Sequence, residues 1–250
     1  MWLRIGHLCK MKIVQQNIKL PITEINGGGG CTAQLLQRHA SNLMPQQPIR
    51  ALFAGASGCG KTNALLNLIY SPYGLSFKNI YLYSKSRFQP KYQEMEKILS
   101  LVPEIGYFAF DDNEEVVAPQ NAREHSIFIF DDIAIEPQSN VRAYYCMGRH
   151  KNIDSFYLTQ TYVCCQKHLV RDNLNFICLF KMDNINLKHA YNEHVNTDMS
   201  FQDFFQMCKT VWGLGKFACL VIDKTRDLND GRYRCNFDNF IVFNDDDDKN

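Results

Sequence analysis

At 250 residues, with 46% hydrophobic and 12% aromatic side chains, the chain carries enough apolar material for a substantial core and fits one domain with appendages. Its formal charge of only +1 excludes a bulk positive field, so any contact with nucleic acid needs a local basic surface. No stretch approaches the ~20 apolar residues of a membrane span, and residues 1–10 are too short and too interrupted for a signal peptide, so a soluble, non-secreted protein is expected.

Residues 1–48 read as a poorly patterned, partly flexible arm, with Gly27-Gly28-Gly29-Gly30 as a break and Pro45-Gln46-Gln47-Pro48 closing it. From Arg50 onward strands alternate with helices, the pattern of a parallel sheet with crossover helices. Arg50-Ala51-Leu52-Phe53-Ala54 is a short buried strand, and residues 62–70 carry apolar residues at helical spacing. A strand over 79–84 and a helix over 89–101 follow, the latter with Pro90 in its first turn. Ile127-Phe128-Ile129-Phe130 is a continuous apolar run, as expected of a strand buried on both faces. The pattern then predicts a helix over 138–151, strands over 155–160 and 175–181, helices over 185–195 and 201–209, and strands over 217–223 and 233–243. The expected division is therefore an arm (1–48), a domain of alternating strands and helices (49–243) and an acidic tail (244–250) containing four consecutive aspartates. The ten cysteines form no C-x-x-C pair, and several stand inside apolar runs, which suits reduced thiols in a cytosol-like or nuclear compartment.

The stretch Gly55-Ala56-Ser57-Gly58-Cys59-Gly60-Lys61-Thr62 fills every fixed position of the P-loop pattern G-x-x-x-x-G-K-[ST]. Glycines at its two ends let consecutive backbone N–H groups turn inward onto phosphate oxygens. Lys61 then reaches the β- and γ-phosphates of ATP, and the Thr62 hydroxyl is offered to Mg²⁺. A helix opening at Gly60 or Lys61 also aims its positive dipole end at the phosphates.

The apolar run 127–130 ends in Asp131-Asp132, a Walker B arrangement in which a strand delivers two carboxylates beside the P-loop. Asp131 is expected to hold Mg²⁺, directly or through water, and Asp132 to orient the attacking water. The second carboxylate argues for hydrolysis, because holding a nucleotide needs only the first.

The ordered set of the P-loop, Ile127 to Asp132, Gly148-Arg149-His150, Leu158-Thr159-Gln160-Thr161-Tyr162, and Arg171 before an apolar strand resembles the poxvirus-type genome-packaging ATPases of the FtsK-HerA superfamily. That type also occurs in other large DNA viruses, virophages and Maverick/Polinton transposons. The resemblance covers about residues 48–223. It departs from most FtsK-HerA proteins, which carry Glu at the second Walker B carboxylate, but the Asp pair is similar to the poxvirus-type branch. The resemblance implies a RecA/FtsK-HerA-like α/β P-loop fold with a mainly parallel sheet flanked by helices. It further implies Gln160 as the polar sensor of the γ-phosphate, Arg149 as an arginine finger for a neighbouring subunit, and Arg171 as the second candidate for that role.

The function so implied is ATP-driven translocation of double-stranded DNA into a capsid by a homo-oligomeric ring, with the capsid protein a partner, at virus assembly sites in the host cytoplasm or nucleus. The basic and aromatic stretch 81–88 offers a candidate channel lining. Two other enzyme readings are open: a helicase-like ATPase of replication or transfer, and a small-molecule P-loop kinase, although no lid segment stands out. A protein using ATP only as a structural ligand is disfavoured by the presence of Lys61 and both carboxylates.

Overall fold

The computed structural model describes residues 2–5, 9–22, 43–168 and 170–244. The glycine run 27–30 and the aspartates 245–248 lie outside these residues. The described elements are strands β1 (Trp2–Ile5), β2 (Cys9–Gln15) and β3 (Arg50–Ala54), helix α1 (Lys61–Tyr70), β4 (Asn79–Ser84), α2 (Pro90–Ser100), β5 (Gly106–Phe110), β6 (Ser126–Asp131), α3 (Ser139–Met147), β7 (Ile153–Thr159), β8 (Phe176–Leu179), α4 (Asn184–His194), α5 (Phe201–Trp212), β9 (Leu220–Asp223), β10 (Tyr233–Cys235) and β11 (Asn239–Asn244).

One 11-stranded sheet runs in the order β1-β2-β11-β10-β9-β8-β3-β7-β6-β4-β5. From β8 to β5 every pairing is parallel, and from β8 back to β1 every pairing is antiparallel. This is the mainly parallel α/β P-loop architecture expected, extended by an antiparallel wing. Alternating side chains of the central strands feed two cores. Leu52, Phe128 and Phe130 join the α3, α4 and α5 layer, whereas Phe53, Ile127 and Ile129 join the α1 and α2 layer. Each of these residues is fully buried, which is why β3, β4 and β6 read as unbroken apolar runs rather than alternating ones.

Several sequence expectations are corrected. The arm is not unpatterned throughout: β2 pairs with β11, placing Met11 opposite Phe243 and Ile13 opposite Ile241, and the Leu20 N–H donates to Asp238 Oδ2 at 2.8 Å. The single strand expected over 233–243 is a hairpin, because Asn236 adopts φ +56 and its N–H donates to the Cys219 carbonyl at 2.9 Å, turning the chain between β10 and β11. Strand β5 is an addition at the far edge. The helix expected over 138–151 stops at Met147 and tightens into a 3₁₀ turn, Gly148–Lys151, which ends in left-handed Asn152.

Candidate nucleotide site

Strand β3 releases the chain at Ala54, on the C-terminal edge of the parallel strands, and α1 collects it at Lys61. The turn between them accepts only glycine at its ends. A Cβ on Gly55 would stand 2.5 Å from Phe180 Cβ, and one on Gly60, at φ +110, would stand 2.8 Å from the Phe217 ring. Ala56, Ser57 and Gly58 form the exposed crest, with Cys59 half-buried behind it. Helices α4 and α5 are capped by the side chains of Asp183 and Ser200, but α1 has no side-chain cap and no acidic residue in its first turn. Its leading N–H groups are thus available to an external acceptor, the arrangement that binds anions at helix N-termini. Lys61 is buried at the base of the loop, where Nζ donates to the carbonyls of Gly55 at 2.6 Å and Ala56 at 3.0 Å.

Strand β7 lies between β3 and β6, and the register aligns their ends: Thr159 faces Ala54, and Leu158 faces Asp131. The two carboxylates then diverge. Asp131 is 8% exposed and accepts a hydrogen bond from Tyr92 Oη at 2.5 Å. Burial pushes its carboxyl above the ordinary value, and Asp132 adds to this, while the Tyr92 hydrogen bond and the Lys61 charge pull it down. Asp132 is exposed at φ +57, a left-handed conformation that Asp and Asn tolerate better than other side chains. Gln160, exposed, leaves the end of β7 beside them.

A cleft of about 870 Å³ brings these groups together, lined by Ser57, Gly58, Gly60, Lys61 and Thr62 from the loop side and by Asp131, Asp132 and Gln160 from the strand ends. The size suits a bound nucleotide. A carboxylate and a hydroxyl, Asp131 and Thr62, are hard oxygen donors of the kind Mg²⁺ takes when phosphates and water complete its shell. Among the described residues no group of three or more His, Cys, Asp or Glu side chains is placed to hold a metal ion.

Sequence reasoning missed several members of this cleft. Tyr92 lies on the buried face of α2 and looks like a core aromatic until β6 sets Asp131 against it. Lys85, Gln89, Lys91, Lys216 and Phe217 also line the cleft, the last two delivered by the loop between α5 and β9. Within the stretch 81–88, Tyr81 to Ser84 are buried in β4, Lys85 pairs with Glu136 at 3.4 Å, Arg87 pairs with Asp111 at 3.0 Å, and Phe88 is exposed.

The two arginines expected as fingers stand apart from the cleft. Arg149 is exposed in the 3₁₀ turn just before β7, at the opposite edge of the parallel strands from the P-loop, where its charge helps lower the pKa of the half-buried Arg50, after burial. It cannot serve its own nucleotide. Arg171 is buried, ion-paired with Glu193 at 3.3 Å and stacked 5.0 Å from the Tyr162 ring centroid. In this structure its guanidinium lies inside the subunit between a carboxylate and an aromatic face.

The family model of the poxvirus A32 protein matches residues 36–235, which takes in β3 to β10 and every group of the cleft. The chain belongs to the poxvirus A32 protein family. Its fold is that of a P-loop NTPase, with the phosphate-binding turn between β3 and α1. No curated protein gives a significant sequence match. Among solved structures, the genome-packaging NTPase B204 of Sulfolobus turreted icosahedral virus 2, in complex with AMPPCP, is 12% identical, covering 73% of this chain and 95% of its own, with a TM-score of 0.48. B204 of Sulfolobus turreted icosahedral virus, a DNA-packaging ATPase, is 16% identical over 70% of this chain and 92% of its own, with a TM-score of 0.47. The N-terminal domain of zonular occludens toxin from Neisseria meningitidis is 14% identical over 56% of this chain and 80% of its own, with a TM-score of 0.35. Among the described residues, no helix of this A32 family member is long and apolar enough to cross a membrane.

Proposed function

We propose that this chain is the motor subunit that drives double-stranded DNA into a capsid, working as a homo-oligomeric ring on residues 49–243 at sites of virus assembly inside the host cell. The observation that carries the reading is the convergence of Lys61, Thr62, Asp131, Asp132 and Gln160 on one cleft in a chain of the poxvirus A32 family. The backbone N–H groups of the loop and Lys61 hold the triphosphate, and Thr62 with Asp131 would hold Mg²⁺, which when bound neutralises charge on the β- and γ-phosphates. Asp132, more exposed than Asp131, orients the attacking water and takes its proton, and Gln160 reads the γ-phosphate. Arg149, remote from its own P-loop, completes the neighbour's site.

Steady-state phosphate release with and without duplex DNA tests this reading. Random and defined duplexes should stimulate turnover alike, and the effect should fall steeply with salt, because tracking phosphates releases counterions. Stimulation by single strands but not by duplex would replace the motor with a helicase-like ATPase. Stimulation only by a small phosphate acceptor would replace it with a kinase. A closed ring formed with a nonhydrolysable ATP analogue and duplex DNA is the expected assembly.

A further inference from the structure

A second cavity, about 330 Å³, adjoins the P-loop, lined by Cys59, Phe180, Lys181, Trp212, Gly215 and Lys216 among others. Neither the motif nor the proposed chemistry uses it. Three observations tie it to the nucleotide cleft. Lys216 lines both spaces, so they share a wall. Cys59, its P-loop member, immediately precedes Gly60 and the first turn of α1. The Phe217 ring occupies the position a Gly60 Cβ would need, so the loop from Gly213 to Ala218 packs directly on the phosphate-binding turn.

The polarity of a bound nucleotide follows from the carboxylates. The γ-phosphate must face Asp131, Asp132 and Gln160, which stand together at the ends of β6 and β7. The nucleoside end is then directed away from them, towards the β8 side of β3, where Phe180 and the α5–β9 loop enclose the second cavity. Its volume lies at the small end of the range for ligand pockets, the right scale for one base and part of a sugar. Trp212 supplies a rigid aromatic wall, because its indole N–H donates to the Leu179 carbonyl at 2.9 Å and fixes the ring.

We propose that this cavity is the nucleobase subsite, in which the base packs against Trp212 and Lys216 spans the junction between base and phosphates. The inference rests on the nucleotide reading above. The lining includes no amide or carboxylate side chain with which to read a Watson–Crick edge. Recognition by stacking on Trp212, which every base satisfies, gives a site that takes nucleotides with little discrimination among bases.

The test is a calorimetric titration of the full chain with ATP, GTP and inorganic tripolyphosphate, all with Mg²⁺. Two variants accompany the parent protein. Trp212→Ala removes the aromatic wall. Gly215→Leu adds a side chain at the cavity's lining, from a position where an added Cβ meets no atom within 4 Å and the backbone is not left-handed. In the parent, ATP and GTP should bind within a few-fold of each other, and both roughly tenfold or more tighter than tripolyphosphate, the scale of one base stacked on an aromatic ring. Gly215→Leu should collapse that gap while leaving tripolyphosphate affinity unchanged, and Trp212→Ala should do the same if it folds. A gap that persists in Gly215→Leu, or equal binding of ATP and tripolyphosphate to the parent, overturns the subsite. Absence of binding by both ATP and tripolyphosphate to the parent would instead sink the nucleotide reading itself.

Discussion

The Tyr92 hydroxyl on α2 donates to Asp131 Oδ2 at 2.5 Å, so a helix packed on one face of the sheet positions the carboxylate at the end of β6. The pair is buried, and both groups titrate above their ordinary range, each chiefly because burial disfavours its charged form. A group held this way is fixed in orientation before any cation arrives.

Tyr92→Phe should therefore weaken the response to Mg²⁺ more than binding of the nucleotide alone. Loss of a partner that orients a metal ligand costs about 10- to 100-fold in metal affinity. The expected outcome is a shift of that order in the Mg²⁺ concentration giving half-maximal turnover, with Mg²⁺-free ATP affinity unchanged. An unaltered Mg²⁺ curve would mean that Asp131 is oriented by its backbone alone.

Lys61→Ala and Asp132→Asn should separate binding from chemistry. Lys61 is buried beneath the loop with its ammonium on the Gly55 and Ala56 carbonyls, so removing it takes away both a phosphate-facing charge and two hydrogen bonds that shape the turn. Titration with a fluorescent ATP analogue should show weak or no binding. Asp132→Asn keeps a residue suited to φ +57 and should bind as the parent does while turnover stops. Equal loss of binding in both would refute the division of roles.

The P-loop and the Asp pair were legible in the sequence because each depends on local chemistry at a strand end, and the parallel order then aligns those ends unaided; Gln160 was named only through the family resemblance. Other features depend on distant partners. Met11 reaches Phe243 across the chain, so β2 has no local signal beyond the alternation of Lys10, Met11, Lys12 and Ile13. Lys216 enters the cleft only because the α5–β9 loop folds over Gly60. Arg171 has the sequence setting of a finger, yet Glu193 and Tyr162, from other segments, hold it inside.

Arg234 and Asp223 form an ion pair with no solvent exposure on either side chain, joined at 2.5 Å between β10 and β9. The guanidinium also donates to the carbonyls of Gly231 at 2.7 Å, Phe237 at 3.3 Å and Leu43, tying the chain ahead of β3 to the region of β9 to β11 through one cation. Removing one member leaves a buried charge uncompensated, so Arg234→Met should cost about 3–5 kcal/mol in denaturant unfolding. Arg234→Met combined with Asp223→Leu should be less destabilised than Arg234→Met alone, and strict additivity of the two changes would show that the pair is not coupled.

His194 sets an acid limit on the fold. Tyr162 Oη lies 2.7 Å from both Glu193 Oε2 and His194 Nε2; donating to the carboxylate, it accepts from an Nε2–H, which leaves His194 Nδ1 unprotonated and without a partner. Burial, reinforced by Lys224, Arg171 and Arg232, holds the imidazole down at about 3. The unfolded chain takes up this proton near the ordinary value of about 6.5, so between about 6.5 and 3 it binds more protons than the folded one. Stability attributable to His194 is therefore complete above about 6.5 and falls with pH below it, by no more than about 1.4 kcal/mol per pH unit for one proton. Asp154, pushed up to about 7 by burial, contributes the opposite slope over part of that window, so the informative quantity is the difference between His194→Gln and the parent at each pH. Thermal or urea unfolding should show the gap between His194→Gln and the parent narrowing, or reversing in favour of the variant, from pH 7 to pH 5. A gap independent of pH would show that His194 titrates normally in the folded protein.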